Sequence, residues 1–348
     1  MSIKNRKPTA IDLFCGSGAV TLGLKQAGFQ VVGAVDLAPK ACLTYKANHP
    51  EVNLIEEDIV NLDPSCFDHV VKDRLDLLVV CAPCQPFSSQ NRKRSNEDPR
   101  RDLVSESLKF IDRFEPEIVF LENVPGLAAT SIFSSYTQEL QSRGYHVSVP
   151  MKLDASQLGV AQRRYRMVLL ASKRIDVSVL SVFPEQPKKT VRDLISDLPV
   201  PPIGKASSLT DTLHFSRKHT ELNLRRLSHI PKNGGSRYAL PVELQLKCHQ
   251  NKKVGSFSDV YGRMKWDDVA PTLTTGCTDI TRGRFAHPEQ DRGMTLREAA
   301  RLQSFPDSYI FLGNAGQIAT QIGNAVPPEM MKTIAKKIIV ELNTLLNK

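Results

Sequence analysis

Short apolar segments alternate with amphipathic ones along the first half of the chain, and this alternation narrows the folds that it can adopt. Residues 9–14 and 30–36 are predicted strands, and the segment between them has helical spacing and ends at Gly28, a typical helix C-cap. The order continues with strands predicted at 52–58, 75–82, 117–124 and 165–171 and helices at 38–48, 103–114 and 135–143. Because these strands are continuously apolar, we predict a parallel, doubly wound α/β sheet covered on both faces.

The alternation stops near residue 173, which indicates a second region. Residues 184–240 contain many prolines and few long apolar runs, whereas helical spacing returns at 295–303 and 328–346. The last of these helices is long and amphipathic, so we expect it to pack back onto the first domain. The predicted domains are therefore a discontinuous one, 1–173 plus 295–348, and a smaller loop-rich one, 174–294.

The charge of the chain favours a polyanionic partner. Lysine and arginine total 46 against 37 aspartate and glutamate, a formal net charge of +9. Such an excess is typical of nucleic-acid-binding proteins, although a basic protein without such a partner is the alternative.

Composition also predicts the compartment. Seven scattered cysteines argue against a disulfide framework and for a reducing environment. No run of about 18 apolar residues indicates a membrane span, and the basic N-terminal segment lacks the apolar stretch of a signal peptide. We expect a cytoplasmic protein.

A glycine-containing loop follows the first predicted strand. Gly16 and Gly18 allow backbone N–H groups to approach a ligand near a helix N-terminus, with Phe14 beside them. Asp36 and Asp58 end the next two predicted strands, where carboxylates can bind a ribose and an adenine amino group. The spacing is not that of a dinucleotide loop, so a nucleoside such as S-adenosylmethionine fits better than a nicotinamide cofactor. An ordinary tight turn and solvated strand ends are the alternative.

Two further strand ends carry reactive groups. Cys84 follows a predicted buried strand and has prolines on both sides, at 83 and 86. It is either a nucleophile or a small buried hydrophobic residue. Glu122 ends another apolar strand. It is either a partly desolvated acid with a raised pKa or simply the residue at which the strand leaves the core. Adjacent parallel strands open on the same crevice, so both side chains could face one substrate.

A basic run precedes the last predicted strand. Strand alternation would place Gln162, Arg164 and Arg166 on one face. They form either a surface basic edge or a set of forked donors around a substrate carbonyl and phosphates.

Seven groups of residues occur in order along almost the whole chain. They are Asp12-Leu13-Phe14-Cys15-Gly16-Ser17-Gly18, the acids Asp36 and Asp58, Pro83-Cys84-Gln85-Pro86-Phe87-Ser88, Glu122-Asn123-Val124, Gln162-x-Arg164-x-Arg166, Arg297-Glu298-Ala299-Ala300-Arg301-Leu302-Gln303-Ser304-Phe305-Pro306 and Gln321-Ile322-Gly323-Asn324-Ala325-Val326-Pro327-Pro328. In this order they resemble the cytosine-C5 DNA methyltransferases of prokaryotic restriction-modification systems. The resemblance implies a Rossmann-like S-adenosylmethionine-dependent methyltransferase domain, with residues 174–294 as target-recognition domain.

The resemblance also implies a reaction and its residues. The Cys84 thiolate would attack carbon 6 of a flipped cytosine, and Glu122 would stabilise or protonate ring nitrogen 3. Arg166 would hold the carbonyl at position 2 with support from Arg164, and carbon 5 would take the methyl group of S-adenosylmethionine. The cofactor-binding residues would be Phe14, Gly16, Gly18, Asp36, Leu37, Asp58, Pro83 and Asn324, with no metal.

The implied partner is double-stranded DNA, bound by a monomer, with a cognate restriction endonuclease acting on the same site. Residues 88–101 resemble the mobile catalytic loop, in which Arg92, Lys93 and Arg94 would bind phosphates, although a solvated charge run is the alternative. Gln90-Asn91 depart from the family pattern there. An RNA cytosine-C5 methyltransferase, a catalytically silent DNA-binding protein and a nicotinamide dehydrogenase are the competing hypotheses, the last opposed by the short glycine loop.

Overall fold

The computed structural model describes residues 6–83, 102–204, 211–250 and 259–346. Contacts divide the chain into two compact units. The first comprises Met1–Leu158, Tyr165–Gln186 and Val326–Lys348, and the second comprises Gly159–Arg164 and Pro187–Ala325. These bounds differ from the predicted domains chiefly at 295–325, which belong to the second unit. The division into a catalytic and a target-recognition domain stays a prediction.

The first unit is built on an eight-stranded sheet. Its order is β3-β2-β1-β4-β5-β8-β6, and β7 also pairs with β8. The strands are β1 (Thr9–Leu13), β2 (Gln30–Asp36), β3 (Asn53–Glu56), β4 (Leu77–Val80), β5 (Ile118–Asn123), β6 (His146–Val147), β7 (Met151–Asp154) and β8 (Tyr165–Ser172).

The predicted doubly wound α/β fold is confirmed, but the expectation of an entirely parallel sheet is wrong. Strands β1 to β5 pair in parallel, as their continuous apolar runs predict. Strand β8 is antiparallel to β5, β6 and β7. Apolarity alone cannot distinguish the two directions, because a strand buried on both faces has the same composition either way.

Six helices accompany this sheet in the described part of the first unit. They are α1 (Ala19–Ala27), α2 (Pro39–Asn48), α3 (Leu108–Phe114), α4 (Ser131–Ser142), α5 (Val177–Leu180) and α10 (Pro328–Leu346). Helix α1 begins after Gly18 and ends at Gly28, and both glycines have left-handed φ angles. Helix α10 packs on α1, as the amphipathic pattern predicts, and a Cβ at Gly23 would lie 2.5 Å from the Pro328 carbonyl oxygen.

The core lies along the central strands. All residues of β4 and β5 are buried, which explains why both read as continuous apolar runs. The Phe67 ring packs on Gly33 of β2, where a Cβ would come within 2.6 Å of it. Burial of each such large side chain contributes about 1.5–3 kcal/mol to the free energy of unfolding.

The second unit has little regular structure beyond its helices. Its described helices are α6 (Val191–Ile195), α7 (Glu221–His229), α8 (Leu296–Leu302) and α9 (Ala315–Asn324), of which α6, α7 and α9 were not predicted. The buried Arg263 guanidinium donates to the carbonyl oxygens of Leu227, Ile230, His287 and Gln290, at 2.8–3.0 Å. Such bonds satisfy backbone carbonyl oxygens in a unit that has few paired strands. No helix within the described ranges is long and apolar enough to span a bilayer.

Candidate active site

The loop after β1 forms a tight turn with an unusual backbone. Phe14, Gly16 and Gly18 have φ angles of 61°, 53° and 92°, so three of five residues are left-handed. The Cys15 N–H donates to the Val35 carbonyl oxygen at 3.0 Å, which ties the turn to β2. A Cβ at Gly16 would meet no atom of the described residues within 4 Å. The turn therefore has open space at Gly16, as a bound nucleoside would require.

Asp36 holds this turn from the end of β2. One carboxyl oxygen accepts the Gly16 N–H at 2.7 Å and the other accepts the Ala38 N–H at 2.8 Å. Burial raises the pKa of Asp36, and the backbone donors offset part of that rise. The adjacent Leu37 side chain is 60% exposed, an exposure that contact with a ligand would reduce.

The other predicted cofactor residues occupy different places. Asp58 lies two residues beyond β3, and its Oδ1 accepts the Val60 N–H at 3.0 Å. Pro83 is half-buried beyond β4, and Asn324 is the exposed last residue of α9 in the second unit. Phe14, Gly16, Gly18 and Asp36 are brought together, whereas nothing described joins Asn324 to them.

Glu122 and Arg166 form a largely buried ion pair. Arg166 Nε lies 2.9 Å from Glu122 Oε1, with side chains 12% and 8% exposed. Antiparallel pairing sets Glu122 opposite Val168, so the first residues of β8 lie at the carboxyl end of β5. An acid and a forked cation therefore meet at the edge where the parallel strands end.

The segment that leads to Cys84 is anchored at the same edge. The Asn123 side-chain amide donates to the Ala82 carbonyl oxygen at 3.0 Å. The Cys81 N–H donates to the Leu13 carbonyl oxygen at 3.3 Å, which extends the pairing of β4 with β1. Cys84 itself, like Arg92, Lys93 and Arg94, lies outside the described residues.

Arg164 does not share a strand face with Arg166, because β8 begins only at Tyr165. Its buried guanidinium donates to the carbonyl oxygens of Leu273 and Gly323, at 3.0 and 3.1 Å. The buried Gln162 bonds to Gln303 and accepts the Leu273 N–H. The predicted shared face is wrong, since Gln162 and Arg164 precede β8 and bond to other residues of the second unit.

A buried carboxyl that the sequence reasoning did not single out lies beneath the glycine turn. Asp12 of β1 is fully buried and accepts the Thr21 hydroxyl at 2.8 Å through Oδ2. Burial, offset in part by Thr21 and increased by Asp36, raises its pKa to about 7. An aspartate inside an apolar strand run was the available signal.

Comparison with protein families bears on the whole chain. Residues 9–340 match the family described as C-5 cytosine-specific DNA methylase. The match includes both units and every candidate residue above.

Individual proteins show the same relation. The type II methylase M.HgiDII of Herpetosiphon aurantiacus is 39% identical, over 94% of each chain. The type II methyltransferase M.PspPI of Psychrobacter sp. is 34% identical, over 97% of this chain and 80% of its own length. Among solved structures, Dnmt2 methyltransferase of S. pombe superposes with a TM-score of 0.67 at 21% identity, covering 98% of this chain and 99% of its own. That last likeness shows the fold alone.

Proposed function

Since the chain belongs to the C-5 cytosine-specific DNA methylases, we propose that it transfers a methyl group from S-adenosylmethionine to carbon 5 of a cytosine in duplex DNA. The observation that carries the proposal is the buried Glu122–Arg166 pair. It stands at the strand edge where Asn123 anchors the segment leading to Cys84. An acid and a forked donor at this edge, with Cys84 next in sequence after Pro83, would suit attack on an electron-poor ring.

The proposed reaction begins with Cys84. Its thiolate attacks carbon 6 of the cytosine, which makes carbon 5 nucleophilic. S-adenosylmethionine would supply the methyl group that carbon 5 takes and would leave as S-adenosylhomocysteine. Loss of the carbon 5 proton and elimination of the thiolate then restore the aromatic ring. The target base must leave the duplex stack for this chemistry, so the proposal includes base flipping.

Glu122 and Arg166 would act on the polar edge of the base. Glu122 stabilises or protonates ring nitrogen 3 as charge develops there, and Arg166 donates to the carbonyl at position 2. Their ion pair orients both groups before the base arrives, because each side chain restricts the other. The supporting role of Arg164 stays a prediction from the family motif, and its guanidinium donates to the backbone carbonyl oxygens of Leu273 and Gly323.

The glycine turn would hold the cofactor. Its open space at Gly16, the flanking Phe14 and the Asp36 carboxylate fit a nucleoside, and Leu37 would cover the adenine. Gly18, Asp58, Pro83 and Asn324 are assigned to the cofactor by the family motifs, and these roles stay predictions.

The proposal extends to a type II restriction-modification setting. The curated relatives named above are type II enzymes, which supports a cognate endonuclease acting on the same sequence. Residues 174–294 would read that sequence, and the net charge of +9 suits binding of phosphates by a monomer. We also propose that the protein is cytoplasmic.

Bisulfite sequencing of DNA from cells that express the full chain tests the proposal. Methylated cytosines should appear at one recurring sequence, and they should be absent with Cys84→Ser. Unmodified DNA together with methylated cytosines in RNA would instead favour an RNA methyltransferase on the same scaffold. If neither DNA nor RNA is methylated and the protein still binds DNA, the result would indicate a silent DNA-binding protein.

A further inference from the structure

A chain of buried hydroxyl groups connects α2 to the strand before the glycine turn. Tyr45 Oη lies 2.8 Å from Thr21 Oγ1, and Thr21 donates to Asp12 Oδ2 at 2.8 Å. Because the Thr21 proton is used on Asp12, the Tyr45 hydroxyl must be the donor to Thr21. All three side chains are fully buried.

A histidine one turn further along reaches the glycine turn directly. His49 follows the last residue of α2, is 2% exposed, and has Nε2 3.1 Å from the Gly18 carbonyl oxygen. A carbonyl oxygen only accepts, so Nε2 carries the proton and Nδ1 accepts from Lys25 Nζ at 3.3 Å. Burial first and Lys25 second lower the pKa of His49 to about 4, which keeps the ring neutral at pH 7.

The Tyr45 bond reaches the two elements that flank the turn, Thr21 of α1 and through it Asp12 of β1, whereas the His49 bond reaches the turn itself at Gly18. Tyr45 and His49 are four residues apart, and their rings meet edge to face with centroids 5.0 Å apart. Asp36 accepts the Gly16 N–H, and α2 begins three residues after Asp36. The turn is therefore held at the Gly16 N–H by β2 and at the Gly18 carbonyl by α2.

We propose that Tyr45 and His49 are positioning residues that hold the glycine turn in its binding geometry and thereby set the affinity for an adenosyl cofactor. Neither residue has to touch the cofactor for this effect. The inference rests on the proposed function, because it assumes that a nucleoside occupies the turn. Inside the turn the Gly18 N–H donates to the Cys15 carbonyl oxygen at 2.9 Å, and the bonds from Asp36 and His49 add fixed points at Gly16 and Gly18. These outside bonds help to keep Phe14 and the glycines in their left-handed conformations.

Binding of S-adenosylhomocysteine to the full-length protein, measured by isothermal titration calorimetry, tests the inference. Tyr45→Phe and His49→Leu should each raise its Kd about three- to tenfold, the effect of one lost hydrogen bond. His49→Gln should restore part of the affinity, because an amide N–H can still donate to the Gly18 carbonyl. The KM for the cofactor should rise while the Kd for duplex DNA stays unchanged.

Tyr136→Phe is the matched control. Tyr136 is also buried and bonds to a hydroxyl, Ser107 Oγ at 2.9 Å, but it lies on α4 and this bond does not involve the turn. This variant should lose stability as Tyr45→Phe does and keep the wild-type Kd for S-adenosylhomocysteine.

Three results would overturn the inference. Unchanged affinity in Tyr45→Phe and His49→Leu would do so while leaving the proposed function intact. An equal loss in Tyr136→Phe would show a general loss of rigidity rather than positioning. No binding by the wild-type protein would overturn the cofactor assignment of the proposed function and this inference together.

Discussion

Arg166 Nε lies 2.9 Å from Glu122 Oε1, and the antiparallel direction of β8 is what brings them together. In a parallel arrangement the first residues of β8 would lie at the opposite end of β5. Reversing that one strand supplies a cation to the edge where β1, β4 and β5 end. The pair therefore joins chemistry from two strands whose key residues are 44 positions apart in the sequence.

Arg166→Ala should lower kcat about 10²- to 10³-fold, the usual effect of removing one donor from developing charge. Single-turnover methyl transfer to a duplex oligonucleotide measures the change. Arg166→Lys is the matched variant, because it keeps the positive charge without the planar fork, and its rate should fall between the other two. Equal rates for wild type and Arg166→Ala would show that Arg166 has no role in the reaction.

Glu122→Gln should lower the rate of methyl transfer about 10²- to 10⁴-fold, the range in which a positioned acid or base contributes. The substitution keeps the shape of the side chain and removes its charge and its ability to exchange a proton. Cofactor affinity serves as the control and should be unaffected. A near-normal rate would mean that Glu122 has no proton role.

Cys84→Ser should abolish methyl transfer while DNA binding remains. Duplex DNA with 5-fluorocytosine at the target should form a covalent complex with the wild-type protein, because fluorine cannot leave as the carbon 5 proton does. Denaturing electrophoresis detects the adduct, and Cys84→Ser should show none. Turnover by Cys84→Ser would disprove the nucleophile assignment.

Asp12 should make stability fall as pH rises. Its pKa is raised to about 7 in the folded protein from 3.8, so the folded state holds a proton that the unfolded chain has lost between these values. The free energy of unfolding of the wild type should therefore drop about 2 to 3 kcal/mol more than that of Asp12→Asn between pH 5 and pH 8. Urea titrations at both pH values measure the difference, and parallel pH profiles would contradict it.

Arg164→Met should destabilise the protein through the second unit. It leaves the buried Leu273 and Gly323 carbonyl oxygens without their donors, at about 1–3 kcal/mol each. Arg163→Met is the adjacent control, since the Arg163 side chain is 58% exposed and 4.0 Å from Asp268, a pair worth no more than about 1 kcal/mol. Thermal unfolding compares the two, and equal melting temperatures would contradict a structural role for Arg164.

The sequence alone predicted most elements of the first unit. Buried positions select apolar residues, and such runs can be seen in the sequence. The predicted bounds of β2 and α10 therefore agree with those in the structure. Gly16 and Gly18 likewise predicted the turn, because glycine adopts left-handed φ angles more readily than other residues. Cys84 and the cofactor roles remain predictions from motifs.

Only the tertiary structure decided which groups meet. The direction of β8 and the partners of Arg164, 109 and 159 residues away, leave no periodic signal. The sequence likewise does not show that Tyr45, Thr21 and Asp12 bond to one another, although Asp12 stands out as an aspartate in an apolar strand. Periodicity reports whether a residue is buried, whereas a hydrogen bond depends on which distant segment the folded chain brings within about 3 Å.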